Sequence, residues 1–79
     1  PAAPVHVLMI PKAHTENIIT AEPELLLYMF GKVKELAEKL GVNEKGFRIV
    51  ANTGDDGGQT VKHLHIHLLG GKALGWPPC

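Results

Sequence analysis

The chain has 79 residues, 44% of them hydrophobic, and its eight basic and eight acidic side chains give a formal net charge of zero. This size allows one small domain, which we assign to residues 1–79, and the balanced charge argues against nucleic-acid binding because phosphate neutralisation requires clustered Lys and Arg. The single cysteine, Cys79, excludes an intrachain disulfide, and without a membrane span or a signal-peptide pattern we expect a cytoplasmic protein that has no membrane contact.

The first half of the chain predicts one strand followed by one long helix. Residues 5–10 are apolar except for His6 and suit a buried strand that Pro11 closes. A polar loop follows, with Thr20 as the expected N-cap and Pro23 in the first helical turn. An apolar stripe at three- and four-residue spacing predicts a helix up to residue 40, with its members at Leu26, Met29, Val33, Leu36, Ala37 and Leu40.

The first half of this helix is apolar around more of its circumference than one sheet covers. The apolar residues outside the stripe are Leu25, Leu27, Tyr28 and Phe30. They predict either additional core or a contact with a second subunit, which would help to stabilise a domain this small.

The second half of the chain predicts two strands. Residues 46–52 alternate between apolar and mixed positions, a glycine-rich loop occupies residues 53–60, and residues 61–69 form a further strand that Gly70 and Gly71 end. Strands joined by such a loop are antiparallel neighbours. We therefore predict an α+β fold, an antiparallel sheet with one long helix packed on it.

Three histidines alternate in the last predicted strand. Successive side chains of a strand point to opposite faces, so His63, His65 and His67 share one face. The opposite face is apolar, with Leu64 and Ile66. The strand thus combines a hydrophobic anchor with a row of groups that titrate near neutral pH.

Three interpretations of this row compete. Neutral imidazoles at alternate positions are spaced to share a zinc ion, and three histidines with one water would make a catalytic zinc site. The histidines could also be ordinary residues of a solvent-facing strand. A third interpretation is nucleophilic catalysis at phosphorus, because a neutral imidazole is a good nucleophile and its phosphorus adduct is labile.

The loop before the histidines favours the third interpretation. Consecutive glycines, among them Gly58, let backbone N–H groups approach anionic oxygens closely. Thr60 adds a hydroxyl, and Asn52 adds an amide donor at the end of the preceding strand. Next to the histidine row, these donors predict a phosphate site.

These motifs resemble the histidine triad (HIT) superfamily. His63-Leu64-His65-Ile66-His67-Leu68-Leu69 has the triad form, residues 7–14 are similar to the strand and turn before the family's helix, and residues 56–61 are similar to its phosphate loop. Gly70-Gly71 followed by Trp76-Pro77-Pro78 resembles the tail of the Hint branch, the histidine triad nucleotide-binding proteins. The resemblance covers nearly all of the chain.

The resemblance implies a role for each site residue. His65 would be the nucleophile that attacks the α-phosphorus, His63 would orient His65 with His6 completing a polar relay, and His67 would contact the phosphate and leaving group. Trp76 would reach the active site of the second subunit of a homodimer, and His14 would be structural. Phosphate oxygens would be bound by four residues, Asn52, Gly58, Gln59 and Thr60.

The resemblance also implies an activity. The expected reaction is hydrolysis of purine nucleoside 5′-phosphoramidates through a nucleotidyl-histidine intermediate, without a metal or other cofactor. Two alternatives stay open: a non-catalytic nucleotide-binding or interaction module, and a dinucleoside polyphosphate hydrolase or nucleotidyl transferase. The family's additional N-terminal hairpin and short helix, which contribute the nucleoside pocket, do not match any part of the sequence, so we expect residues upstream of Pro1.

Overall fold

Three strands and one helix form the structure, a computed structural model that describes residues 3–78. Along the chain these are β1 (Val5–Met9), α1 (Pro23–Leu40), β2 (Phe47–Val50) and β3 (Ile66–Gly70). The sheet order is β1-β3-β2, and both pairings are antiparallel. The predicted α+β fold is confirmed, with the histidine strand at the centre of the sheet.

Helix α1 begins with Pro23. An N–H at the first helical position has no partner within the helix, so proline loses no hydrogen bond there. The N-cap is Glu22, which makes no side-chain cap hydrogen bond, so the prediction of Thr20 as N-cap is wrong. The Thr20 hydroxyl instead accepts hydrogen bonds from the backbone N–H groups of Glu16 and Asn17. Gly41 ends the helix at φ 75°, the left-handed conformation that favours glycine.

The core lies between one face of α1 and one face of the sheet. Met29, Val33 and Ala37 are buried on the helix, as the apolar stripe predicts. Leu64, two residues before β3, and Ile66, the first residue of β3, are at most 2% exposed. Complete burial of a Leu or Ile side chain contributes about 1.5–3 kcal/mol. This anchor fixes the histidines on the opposite face.

Several apolar side chains stay exposed. Leu27 is 76% exposed, Tyr28 63% and Phe30 50%, so in this structure they are not additional core. In β1 only one face is covered: Val5 packs on the core, whereas Leu8 is half exposed. The prediction of a buried strand therefore holds for only one face of β1. The described part of the chain has no helix with the length and hydropathy needed to cross a bilayer.

The histidine strand begins later than predicted. Strand β3 starts at Ile66, which pairs with Met9, the last residue of β1. Beyond that pair the chain bonds to a loop: the N–H of Leu64 donates to the carbonyl oxygen of Thr15 at 2.8 Å. Pro11 lacks the N–H that would extend the ladder. Residues 63–65 therefore lie beyond the end of the sheet, where loops can surround them.

Candidate active site

The alternation of burial continues through the histidines although the sheet does not. Leu64, Ile66 and Leu68 are buried, whereas His63, His65 and His67 are half-buried. His67 lies within the sheet, where Val50 and Leu8 are its register partners on either side. We call this side of the sheet, with the triad, the histidine face. The predicted shared face is confirmed.

His65 is held by a backbone carbonyl group. Its Nδ1 lies 2.8 Å from the carbonyl oxygen of His63. A carbonyl oxygen only accepts, so Nδ1 carries the proton and the neutral ring keeps a lone pair at Nε2. The geometry thus selects the tautomer whose outer nitrogen can attack an electrophile.

The His63 side chain points to another loop. Its Nε2 donates to the carbonyl oxygen of Pro11 at 3.2 Å, and its ring meets the His14 ring edge to face with centroids 5.1 Å apart. The contact through which His63 would orient His65 is therefore made by its backbone carbonyl oxygen, whereas its ring contacts the turn after β1. His14 contributes to the same packing.

His6 contacts the third histidine of the triad. Its Nε2 lies 3.1 Å from Nδ1 of His67. His6 lies opposite Leu69 in the register, which places it diagonally across from His67 on the histidine face. Burial, and next the nearby His65 and His6, lower the pKa of His67 below its usual value of 6.5. His67 is therefore neutral at pH 7.

The glycine-rich loop is held closed by its own hydrogen bonds. Asn52 donates from Nδ2 to the carbonyl oxygen of Gly57 at 2.7 Å, and a Cβ at Gly57 would collide with the backbone of Thr53. The N–H of Gly58 donates to the carbonyl oxygen of Asp55 at 3.0 Å. The predicted phosphate contact of the Gly58 N–H is therefore corrected to a turn contact. Asn52 keeps a second amide N–H, since its side chain has two.

Gln59 corrects a further prediction. Its side chain is 6% exposed, and its Nε2 donates to the carbonyl oxygens of Glu16 and Val61 at 2.7 and 3.0 Å. Its Oε1 accepts from the N–H of Gly54 and from Nδ2 of Asn17. Both donors and both lone pairs of the amide are thus used. Gln59 holds the loops together and is not placed to bind phosphate.

Asn17 is a site-supporting residue that sequence reasoning missed. It is 7% exposed, and its Oδ1 accepts from the N–H of Ile19 at 2.9 Å while its Nδ2 bonds to Gln59. The available signal is an Asn inside a polar loop, because Asn commonly bonds the backbone two residues on. Its long-range partner has no such local signal.

Two further predicted residues lie at the surface. Thr60 is exposed at the end of the glycine-rich loop, so its hydroxyl is open to a ligand. Trp76 is 81% exposed, with its ring 5.9 Å from the guanidinium carbon of Arg48. Sequence reasoning did not assign a role to Arg48, which also donates to the carbonyl oxygen of Gly75 at 2.8 Å.

The imidazoles do not converge on one point. His63 and His65 each bond a backbone carbonyl oxygen, and His67 bonds His6. Within residues 3–78, no group of three or more His, Cys, Asp or Glu side chains is arranged to hold a metal ion.

Comparisons with known proteins find similar sequences and structures. The family model of the HIT domain matches residues 1–74. An uncharacterised HIT-like protein of Synechococcus elongatus is 54% identical over 81 aligned positions, which cover 99% of this chain and 70% of that protein. The chain thus spans about seven tenths of a longer relative.

Solved structures match the fold as well. The crystal structure of a HIT family hydrolase from Legionella pneumophila superposes with a TM-score of 0.94 at 44% identity, covering all of this chain and 73% of the other. A histidine triad nucleotide-binding protein from Candida albicans gives 0.79 at 31% identity, covering 98% of this chain and 62% of that protein. The three strands and the helix of this chain therefore have direct counterparts in solved structures.

Proposed function

Because the chain belongs to the HIT domain family, we propose that it is a nucleotide-binding hydrolase that cleaves purine nucleoside 5′-phosphoramidates. The coarse part of this assignment rests on similarity to a HIT family hydrolase and to a histidine triad nucleotide-binding protein. The phosphoramidase activity is our proposal, and so is the placement in the Hint branch, which residues 76–78 favour.

The orientation of His65 carries the mechanism. With Nδ1–H bonded to the carbonyl oxygen of His63, the Nε2 lone pair forms a bond to the α-phosphorus. The P–N bond of the substrate breaks, its electron pair stays on the amine nitrogen, and that nitrogen takes a proton from solvent or a neighbouring donor. Water then attacks the phosphorus of the nucleotidyl-histidine, which releases the nucleoside monophosphate and restores His65.

The remaining donors stabilise the phosphoryl oxygens. When His6 donates from Nε2 to Nδ1 of His67, the Nε2–H of His67 is free to donate to phosphate. The Thr60 hydroxyl and the second amide N–H of Asn52 add two neutral donors. Preorganised donors of this kind contribute about 3–4 kcal/mol each to transition-state stabilisation.

The exposed apolar side chains of α1 support a homodimer. Leu27, Tyr28 and Phe30 lie outside the core, and Phe30 lines a groove of about 350 Å³ with Phe47. We propose that a second copy of the chain covers this surface and that Trp76 reaches the active site of the partner subunit.

The nucleophile assignment is tested by trapping the intermediate. Turnover of an adenosine phosphoramidate is stopped with acid, and the peptide that contains His65 is searched by mass spectrometry for the added nucleotidyl mass. We expect the adduct in the wild-type protein and in the control variant His14→Ala, and no adduct or turnover in His65→Ala. Full activity of His65→Ala would refute the assignment. Binding of a nucleoside monophosphate without any turnover would favour the non-catalytic module.

A further inference from the structure

The peptide group between His63 and Leu64 is hydrogen-bonded on both sides. Its carbonyl oxygen lies 2.8 Å from Nδ1 of His65, and its N–H donates to the carbonyl oxygen of Thr15, also at 2.8 Å. A trans peptide group is planar, so its N–H and carbonyl group point in opposite directions and rotate together. The Thr15 contact therefore fixes the direction in which the carbonyl group meets His65.

The two hydrogen bonds of this peptide group also strengthen each other. When the N–H donates, the group is polarised and its carbonyl oxygen becomes a better acceptor. Strand β3 starts only at Ile66, and the acceptor for the N–H of Leu64 comes from the loop before α1. The orientation of the His65 ring thus depends on where this loop holds Thr15.

Residues 15–20 form a turn, which we call the site turn, and the Thr20 hydroxyl closes it. The hydroxyl oxygen accepts from the N–H groups of Glu16 and Asn17 at 3.1 and 3.2 Å. These contacts use both of its lone pairs. Its proton is left for the Thr15 hydroxyl, whose oxygen is 2.7 Å away, or for the Asn17 carbonyl oxygen at 3.2 Å. Thr20 therefore ties the first residues of the site turn to its last.

The tautomer decides whether His65 can react. With the proton on Nδ1, the Nε2 lone pair is available for a bond to phosphorus. In the opposite tautomer Nε2 carries the proton and has no lone pair to give. The acceptor at Nδ1 selects between these two neutral forms. A loosened site turn would weaken this acceptor and lower the reactive fraction of His65.

The site turn also contacts the glycine-rich loop. Asn17 donates from Nδ2 to Oε1 of Gln59, and Nε2 of Gln59 donates to the carbonyl oxygen of Glu16. This second path leads to the phosphate donors, so a change that travelled along it would alter substrate binding. The path through Thr15 leads to the nucleophile and would alter the chemical step. The two paths are therefore separable by experiment.

We propose that the site turn selects the reactive tautomer of His65, and that Thr20 is the positioning residue through which it does so. The kinetic part of this proposal rests on the phosphoramidase activity proposed above. Thr20 acts through the Thr15 carbonyl oxygen and the peptide group that this oxygen holds.

The tautomer of His65 is measured by correlating ring nitrogens with ring protons in ¹⁵N NMR spectra at about pH 8.5, where histidine is neutral. We expect the Nδ1–H form in wild type and a mixture of both forms in Thr20→Val, which removes the hydroxyl. Thr20→Ser keeps the hydroxyl and should restore the wild-type form. Thr15→Val removes only the partner hydroxyl, and should show a smaller change in the same direction.

Thr53→Val is the matched control for this measurement. It makes the same change at a hydroxyl that is buried without a hydrogen-bond partner, so we expect the wild-type tautomer. A pure Nδ1–H form in both Thr20→Val and Thr15→Val would overturn the proposal, and so would an equal change in Thr53→Val. If Thr20→Val does not fold, Thr15→Val decides.

Kinetics separate the two paths from the site turn. With an adenosine phosphoramidate we expect Thr20→Val to lower kcat about fivefold with KM within about twofold, and Thr20→Ser to restore kcat. A raised KM with unchanged kcat would assign the site turn to the glycine-rich loop and overturn its role at His65. Absence of turnover in wild type would overturn the proposed function, whereas the tautomer measurement would still decide the positioning role.

Discussion

Nε2 of His6 lies 3.1 Å from Nδ1 of His67, so an imidazole on the edge strand β1 is hydrogen-bonded to one on the central strand β3. The centroids of the two rings lie 5.3 Å apart. Two positive charges on rings this close would repel each other. The contact therefore favours a neutral His67.

The lowered pKa of His67 predicts a pH dependence of stability. Between the lowered folded value and about 6.5, the unfolded chain binds more protons than the folded one, so the free energy of unfolding rises with pH. The contribution of His67 is complete above pH 6.5 and is lost as the pH falls through its folded pKa. Urea unfolding at about pH 7.5 and about pH 5.5 should show a smaller loss for His67→Gln than for wild type. His14→Gln is the control, and an equal loss in wild type and His67→Gln would contradict the prediction.

A substitution at Gln59 tests whether this residue supports the loops or binds phosphate. Gln59→Ala removes two donors and one shared acceptor from a buried position, and each buried group left unsatisfied costs about 1–3 kcal/mol. We expect the free energy of unfolding to fall by at least about 3 kcal/mol in urea unfolding. Asp56→Ala, an exposed change in the same loop, should stay within about 0.5 kcal/mol. Unchanged stability with a raised KM would instead restore the phosphate role.

The histidine face was predictable because its signal is local. The two-residue period of a strand is enough to place the three histidines on one face. The burial of Leu64, Ile66 and Leu68 then puts the histidines on the face away from the core. The stripe of α1 is equally local. The resemblance to a known family then distinguished among three imidazoles that periodicity alone leaves equivalent.

The supporting contacts were not predictable because they join distant segments. Asn17 and Gln59 are 42 residues apart, and His63 and Pro11 are 52 apart. The sequence does not show whether the two donors and two lone pairs of the Gln59 side chain bond to a ligand or to neighbouring loops. The start of β3 also depends on where its partner β1 ends, which its own sequence does not encode.

Two glycine positions should respond oppositely to the same substitution. A Cβ at Gly57 meets the backbone of Thr53, so Gly57→Ala forces the loop to shift and should destabilise the fold by about 1–3 kcal/mol. At Gly31, inside α1, a Cβ meets nothing within 4 Å. Gly31→Ala should raise stability by about 0.5–1 kcal/mol because alanine favours the helix. Thermal unfolding compares the two, and a neutral Gly57→Ala would show that the loop adapts freely.

The proposed homodimer makes a prediction at Phe30. This side chain is 50% exposed on α1 and lines the groove with Phe47. Burial of a Phe contributes about 1.5–3 kcal/mol, and a two-fold interface contains it twice, so Phe30→Glu should weaken association at least about 100-fold. Sedimentation velocity should find wild type dimeric and Phe30→Glu monomeric. Ile19→Glu, at a position 78% exposed outside the helix, is the matched control and should stay dimeric. Dissociation by Ile19→Glu alone would place the interface on the loop before α1.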